Sequence, residues 1–477
     1  MKTIRISIIL FLATLVINSC DLVDPTEVVN PNVTEGTIIG TPNSTSLWLV
    51  GLDRQLALTY NEILVIAALA SDNYVNTQTF FNQTFDILDI RFNDADVNAL
   101  ALDISDLRNS ADVGINAIHP GDSESTDAQL AELHFFRGWA FLLGGEIFKT
   151  LPAVGGEAAL PAATHLANAI ADFQAAEALD ATNAGYKLAL ARAYYFTGDK
   201  ANAVIKANEA IAADAAYLRN VEWDAVNGAA SDSDLQDALQ DRGNFDDLQP
   251  LPSLDFLDPK AYAVSSTLEA PIPILKIEEA HLILAEAEIS DADLPGANQK
   301  MKDVIALVGT RATATFDDSV EGRTNDATTS TFNRPDVTTV TVGYAGEAQR
   351  AGLVLNRLAG DITIPVISGT SLVDADIDAL VTEDDYLEAL YLMRQEIFIA
   401  EGRRWMDLGI KLPVSEVEQL SNTNITASDI EAAVPAFLPT DMDAITYDAG
   451  AGTCVITHNV NAILAANKTN AAVLPFH

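Results

Sequence analysis

Six charged side chains in the last quarter of the chain lie at spacings that could support acid–base chemistry. They are Arg394, Glu396, Glu401, Arg403, Arg404 and Asp407. Carboxylates held beside cations are the groups that general acid–base and glycoside-hydrolysing sites use. On one continuous helix over residues 386–408, however, oppositely charged neighbours can pair along a face within two turns. The spacing therefore favours an ion-pair network that packs this helix, with Trp405 in the core, and predicts no catalytic residue.

No other motif for catalysis or metal binding is complete in the sequence. Residues 291–296 begin like a calcium loop, but Pro295 occupies its fifth position and Lys302 its twelfth, where the loop requires a bidentate glutamate. We interpret this segment as a turn between helices. The six histidines lack ligand spacing, and no zinc-protease, phosphate-loop or nucleophile-elbow motif is present. We expect no cofactor and no metal site. A structural calcium ion elsewhere on so acidic a chain stays open, without a location.

Aromatic and amide side chains alternate after the apolar run 63–70, which predicts a buried helix. Sugar binding uses aromatic rings for the apolar face of the sugar and planar amides or carboxylates for its hydroxyls. The candidate ligand-binding residues are Asp72, Asn73, Tyr74, Phe80 and Phe81, with Trp223 and Tyr262 as second candidates. The alternative for each ring is that it fills the core, since aromatic side chains are usually buried.

Regularly spaced apolar residues predict the helices that must position these side chains. Residues 128–217 and 277–307 have the pattern of antiparallel helix pairs. Six residues of the first region have the spacing of a tetratricopeptide repeat: Leu190, Ala191, Tyr194, Gly198, Ala203 and Ala210. The predicted fold class is all-α for the most part, a scaffold of tetratricopeptide-like helix pairs with long irregular loops, such as residues 220–267 and 310–345, and minor β-hairpins.

The N-terminus has the pattern of a secretory signal. Lys2 and Arg5 precede an apolar run over residues 6–17. Twelve helical residues reach about 18 Å, which is too short for a bilayer core of about 30 Å. Residues 1–19 are therefore predicted to be a signal peptide.

Ser19 and Cys20 follow this run and resemble a bacterial lipobox, which predicts cleavage before Cys20 and lipidation of its thiol. The alternative is an ordinary signal peptide with an incidental cysteine. Residues 20–46 are rich in polar and turn-forming residues and predict a flexible tether. Residues 47–477 are expected to form the ligand-binding domain.

The charge of the chain excludes one class of partner. The 27 basic residues are outnumbered by 68 acidic ones, so the formal net charge is −41. A polyanion of this strength repels nucleic-acid phosphates, and we expect no nucleic-acid partner. Once Cys20 is lipidated, Cys454 has no partner for a disulfide, and we expect it to be a small buried apolar residue.

Three stretches, in this order, resemble the SusD/RagB family of Bacteroidota outer-membrane lipoproteins. The first covers residues 131–152 and contains AELHFFRGWA, GGEIF and LP; the second covers residues 271–287 and contains PIPILK and EAHLILAEA. The third covers residues 394–408 and contains RQEI and EGRRWMDL. Lys276 stands where the family has arginine, and no clear family ending is present, so the resemblance defines the fold only to about residue 412.

The resemblance implies a SusD-like fold, lipid anchoring at the outer-membrane surface and a SusC-type TonB-dependent transporter as partner, over which the protein acts as a hinged lid. It also implies that the ligand is bound and not chemically changed. An oligosaccharide is expected as the ligand in preference to a peptide. A peptide-binding, RagB-like uptake protein is one alternative. A helical-repeat scaffold or adhesin without a small ligand is another, and a hydrolase is a third.

Overall fold

Helices dominate the computed structural model, which describes residues 38–76, 83–224, 232–240, 248–260, 268–317, 335, 337–356, 360–473 and 476. The helices of the first half are α1 (Ser44–Leu69), α2 (Gln83–Asp86), α3 (Ala95–Val113), α4 (His119–Gly121), α5 (Asp127–Ile147), α6 (Ala162–Leu179), α7 (Ala184–Phe196), α8 (Lys200–Ala213) and α9 (Asp234–Gln240). A π-helical turn, Gly114–Ile118, joins α3 to α4, and a 3₁₀ helix spans Asp255–Lys260.

Those of the second half are α10 (Glu278–Ser290), α11 (Leu294–Val308), α12 (Asp374–Asp378), α13 (Glu383–Ile397), α14 (Arg404–Asp407), α15 (Glu416–Ser421) and α16 (Val460–Ala466). One continuous apolar core runs through nearly all of these elements. The fold class predicted from the sequence is confirmed.

Short strands pair into small, separate sheets between the helices. They are β1 (Tyr74–Asn76), β2 (Thr150–Pro152), β3 (Ala159–Pro161), β4 (Leu218–Val221), β5 (Leu248–Pro250), β6 (Ile272–Lys276), β7 (Thr313–Asp317), β8 (Thr341–Tyr344), β9 (Asp361–Pro365), β10 (Ile445–Asp448) and β11 (Thr453–Ile456). The antiparallel pairs are β1–β5, β2–β3, β4–β6, β7–β9 and β10–β11, while β11 pairs in parallel with β8.

Local sequence signals fix the ends of several helices. Thr126 accepts a hydrogen bond from the backbone of Gln129, whose side chain accepts one from the backbone of Thr126, and this reciprocal cap starts α5. Asp293 caps α11 by accepting from the backbone nitrogen of Gly296 at 3.1 Å. The calcium-like segment is therefore a helix–helix turn, as predicted.

The tetratricopeptide-like pair is α7 and α8. Leu190, Ala191, Ala203 and Ala210 are fully buried, and Gly198 makes the turn with φ +74°. Small side chains at these positions allow the two helix axes to approach closely. The sequence prediction of helix pairs is confirmed here and again for α10 with α11.

The single helix predicted over residues 386–408 is wrong. α13 ends at Ile397, and Ala400 and Gly402 adopt left-handed φ angles of +61° and +68° before α14 begins at Arg404. A Cβ atom at Gly402 would lie 2.6 Å from the Ile63 side chain of α1. Gly402 thus supplies a left-handed turn between the two helices and leaves room for Ile63 of α1.

The C-terminal region, which the resemblance leaves undefined, folds onto the same core. Cys454 on β11 is buried, as predicted, between its neighbouring strands. Leu464 of α16 is also buried, and α16 packs on α13. The tail is thus an integrated part of the domain.

At the N-terminal end, the predicted signal peptide, Cys20 and most of the predicted tether lie outside the described residues, which begin at residue 38. The boundaries predicted there stay predictions. The first helix starts at Ser44, two residues before the predicted end of the tether. Within the described ranges, no helix combines the length and the apolar character needed to cross a bilayer.

Candidate functional site

The six charged residues of the C-terminal motif are buried, and all except Glu396 form ion pairs with other described residues. Arg394 Nη2 lies 2.6 Å from Asp407 Oδ1, and Arg403 Nη2 lies 2.6 Å from Glu279 Oε1 on α10. Burial opposes the charge on Arg394, but Asp407 raises the pKa of its guanidinium well above the ordinary value. The predicted ion-pair network is confirmed, although most of its partners come from other elements and not from one helix face.

The remaining members of this cluster are held in the same way. Lys276, at the position where the family has arginine, places Nζ 2.6 Å from Glu401 Oε1 and 2.5 Å from the carbonyl oxygen of Ile397. Glu396 accepts from the hydroxyl of Thr370 at 2.7 Å. Glu396 and Glu401 are therefore both buried and held by groups of the protein itself.

Phe398 lies at the centre of the cluster. Three cations surround its ring, with Lys276, Arg394 and Arg403 at 5.1, 5.5 and 4.8 Å from the ring centroid. Trp405 is 1% exposed and belongs to the core, as predicted. Aromatic faces in contact with cations stabilise them when water is excluded. The cluster therefore holds several elements of the fold together.

The residues predicted to bind ligand around Tyr74 are placed in the interior. Asp72 receives two hydrogen bonds from Arg404, of 2.6 and 2.7 Å, and Asn73 is 4% exposed. Tyr74 lies on β1 opposite Pro250 and is 2% exposed. A ring so covered cannot stack on a sugar in this conformation, so the structure corrects the expectation that this segment presents a binding surface.

Of the second candidates, Trp223 is also buried. Trp223 follows β4 and is 4% exposed, as a member of the apolar core. Phe80, Phe81 and Tyr262 lie outside the described residues, and their roles stay predictions. No three His, Cys, Asp or Glu side chains come together as a potential metal site in the described part of the chain.

An open cleft lies elsewhere, between α3, α5, α6 and the loop after β2. Its volume is about 690 Å³, within the range of roughly 300–1,000 Å³ typical of small-ligand sites. The side chains that give it polar and aromatic character are Arg108, Asn109, Asp112, His134, Arg137, Phe141, Asn168 and Asp172. We call this the α3–α5–α6 cleft.

Arg137 is the best-held cation of the cleft. Its Nε and Nη2 donate to the two oxygens of Asp172 at 2.9 and 2.7 Å, and Nη1 donates to Asp112 at 2.7 Å. His134 Nδ1 lies 2.8 Å from Asp172. Burial lowers the pKa of Arg137, but the bonds to Asp172 and Asp112 outweigh it and raise that pKa overall. Two carboxylates thus neutralise the charge of this guanidinium and hold its side chain in place in the lining of the cleft.

Arg108 is held differently. Its side chain is buried, Nη1 donates to the carbonyl of Pro152 at 3.1 Å, and Nη2 lies 3.5 Å from the amide oxygen of Asn109. The guanidinium carbon lies 5.9 Å from the Phe141 ring centroid. Among the described residues, no carboxylate forms an ion pair with it. Burial lowers the pKa of Arg108, and the more distant charges of Asp112 and Asp106 offset only part of this effect.

Sequence reasoning missed this cleft, although a signal is present. Each of its three helices contributes two of the lining side chains, four residues apart and so on one face: Arg108 with Asp112, Arg137 with Phe141, and Asn168 with Asp172. Such pairs are also common on solvated helix faces. Only the packing of α3, α5 and α6 brings them together.

The fold has relatives among solved structures, although no protein-family model and no curated protein sequence matches the chain. A SusD superfamily protein from Bacteroides thetaiotaomicron aligns with a TM-score of 0.54 at 14% identity, over 81% of this chain and 98% of that one. Another from Bacteroides fragilis aligns with a TM-score of 0.52 at 15% identity, over 82% and 100%.

A protein from Bacteroides vulgatus that is described as sugar-binding aligns with a TM-score of 0.54 at 12% identity, over 81% of this chain and 98% of that one. Identities this low establish similarity of fold alone. The three motif stretches and this shared architecture agree with each other, and the chain therefore has the fold of the SusD superfamily, as its sequence resemblance predicts.

Proposed function

We propose that this protein is a lipid-anchored binding protein of the cell surface that captures an oligosaccharide and passes it to a SusC-type TonB-dependent transporter, over which it acts as a lid. The α3–α5–α6 cleft is the observation that carries the proposal. It joins one aromatic ring, Phe141, to amides, carboxylates and guanidinium groups on a rigid helical frame. Sugars are bound by this combination, because rings cover their apolar face and polar groups satisfy their hydroxyls.

Two further observations support the proposal. The fold is shared with a protein described as sugar-binding, and the Ser19–Cys20 sequence supplies a site for lipidation at the end of the apolar run. The charged cluster near Arg394 is occupied by structural ion pairs, which favours binding without chemical change.

Calorimetric titration of the mature protein with a panel of oligosaccharides and peptides tests the proposal. Saturable binding of an oligosaccharide, with the ligand recovered unchanged, is the expected result. Phe141→Ala should weaken that binding about five-fold or more, since stacking of a sugar on a ring contributes on the order of 1 kcal/mol or more. Phe196→Ala, on α7 and outside the lining of the cleft, is the matched control and should bind as the parent does.

Other outcomes would overturn parts of the proposal. Binding of peptides alone would favour the RagB-like alternative, and co-purification of a protein partner with no small ligand would favour a scaffold or adhesin. A shortened oligosaccharide in the recovered ligand would favour a hydrolase. For the anchor, Cys20→Ser should abolish labelling with a lipid probe in cells, and retained labelling would refute lipidation at Cys20.

A further inference from the structure

We infer that the α3–α5–α6 cleft selects an acidic saccharide, and that Arg108 is the residue that binds its carboxylate. This inference rests on the proposed function and adds the charge of the ligand to it. It depends on three observations: Arg108 has no direct ion pair with a described residue, the charge of Arg137 is neutralised by two carboxylates, and groups suited to a sugar surround both arginines.

A buried arginine without a direct ion pair, such as Arg108, is unusual among the described residues of this chain. Acidic residues outnumber basic ones by 68 to 27, so a cation has many carboxylates available to it. The buried arginines of the core use them: Arg192, Arg394, Arg403 and Arg404 each form an ion pair of 2.6 Å or less with an acidic side chain. Arg108 is 5% exposed and forms none with any described residue. A buried charge without a counter-ion is costly unless a ligand completes it.

The position of Arg108 makes it accessible to such a ligand. It lines the large cleft and also an adjoining recess of about 210 Å³, and Asn109 and Gly155 line both spaces. Its two bonds within the protein go to uncharged oxygens, of Pro152 and Asn109. These bonds orient the guanidinium plane. Its charge is offset by the more distant carboxylates of Asp112 and Asp106 and by no direct ion pair with a described residue. Charge-assisted bonds from arginine to a carboxylate are among the stronger polar contacts.

Arg137, by contrast, already has two carboxylates bound to it, so its charge is neutralised within the protein. Asp172 and Asp112 take its three donor nitrogens. Asp172 also repels an acidic ligand from Arg137, whereas Asp112 acts on the charges of both arginines. An acidic group is therefore directed to Arg108, while Asp112, His134 and Asn168 remain as partners for hydroxyls. A ring, amides and hydroxyl acceptors around an arginine that has no direct ion pair with a described residue fit a saccharide that carries a carboxylate.

Calorimetric titration with matched probes tests this inference. The probes are trigalacturonate, a mannuronate trisaccharide and a hyaluronan tetrasaccharide, each compared with its uncharged methyl ester, and one tripeptide compared with its amide. At least one acidic saccharide should bind about ten-fold or more tightly than its ester. Arg108→Gln should remove that preference.

A second variant keeps the test decisive if Arg108→Gln does not fold. Asn168→Asp adds a negative charge at the half-buried rim of the cleft and should weaken the binding of the acidic saccharide about ten-fold more than the binding of its ester. Asn208→Asp makes the same chemical change on the exposed face of α8 and should leave both ligands as they are.

The outcomes separate the two proposals. If esters or other neutral saccharides bind as tightly as the acids, or if neither cleft variant changes the preference, the charge selection is overturned while oligosaccharide binding stands. If only the tripeptide binds, and loses affinity with Arg108→Gln, the saccharide class is overturned. If no saccharide and no peptide binds, both the selection and the proposed function are overturned.

Discussion

Arg192 and Glu146 form a two-point ion pair in the centre of the helical scaffold. Arg192 Nε and Nη2 lie 2.6 and 2.5 Å from the two carboxylate oxygens of Glu146, and both side chains are fully buried. Arg192 also donates to the carbonyl of Ile274 at 3.3 Å and lies 3.9 Å from Glu279. Because Glu279 binds Arg403, the three motif stretches meet through this one arginine.

Removal of one side of this pair should strongly destabilise the protein. Glu146→Gln leaves Arg192 buried beside a neutral amide, and breaking a buried pair typically costs about 3–5 kcal/mol in the free energy of unfolding. The double variant Glu146→Gln, Arg192→Met should recover part of the loss, since no unpaired charge remains. Denaturant unfolding measures all three. Glu383→Gln, at a more exposed pair with Lys468, is the control and should change little; equal losses in both would contradict the argument.

Glu286 should make stability depend on pH. Burial raises the pKa of its carboxyl from 4.5 to about 7. The hydroxyl of Tyr195, which donates to this carboxyl at 2.5 Å, lowers the pKa by a smaller amount. The folded state therefore prefers the protonated form. This contribution is complete below pH 4.5 and is lost as the pH rises through about 7, by at most about 3 kcal/mol.

Glu286→Gln isolates that effect from other titrating groups. The amide keeps the shape of the protonated carboxyl and does not ionise. The difference in unfolding free energy between this variant and the parent should thus move in favour of the variant from pH 5 to pH 8. Chemical denaturation at several pH values measures it, and parallel curves would show that Glu286 ionises at its ordinary pKa.

Local patterns predicted the helix pairs, because Leu190, Gly198 and Ala203 have the spacing of two helices joined by a turn in a tetratricopeptide repeat. They did not predict the break after Ile397. Gly402 is visible in the sequence, but the close approach of Ile63 that requires it is a tertiary fact. The same limit explains the site. The rings of Tyr74 and Trp223 have the composition of a binding surface, and only packing shows that they are covered.

Gly402 should tolerate no side chain, for two separable reasons. Gly346→Ala tests the first reason alone, because Gly346 has φ +85° with nothing within 4 Å of an added Cβ; we expect a loss of about 1 kcal/mol from the left-handed backbone. Gly402→Ala adds the clash with Ile63 at 2.6 Å and should lose roughly 1–3 kcal/mol more. Thermal and denaturant unfolding compare the two, and equal losses would show that α1 moves aside without cost.

Ala203 should be the sensitive position of the tetratricopeptide-like pair. Its side chain is fully buried between α7 and α8, so Ala203→Leu must force these helices apart and should lower the free energy of unfolding by roughly 1–3 kcal/mol. Ala201→Leu makes the same substitution on the exposed face of α8 and should change stability little, since leucine and alanine both favour helix. Denaturant unfolding of the two variants measures the difference. A similar effect at both positions would mean that helix propensity, and not the close contact of α7 with α8, sets the result.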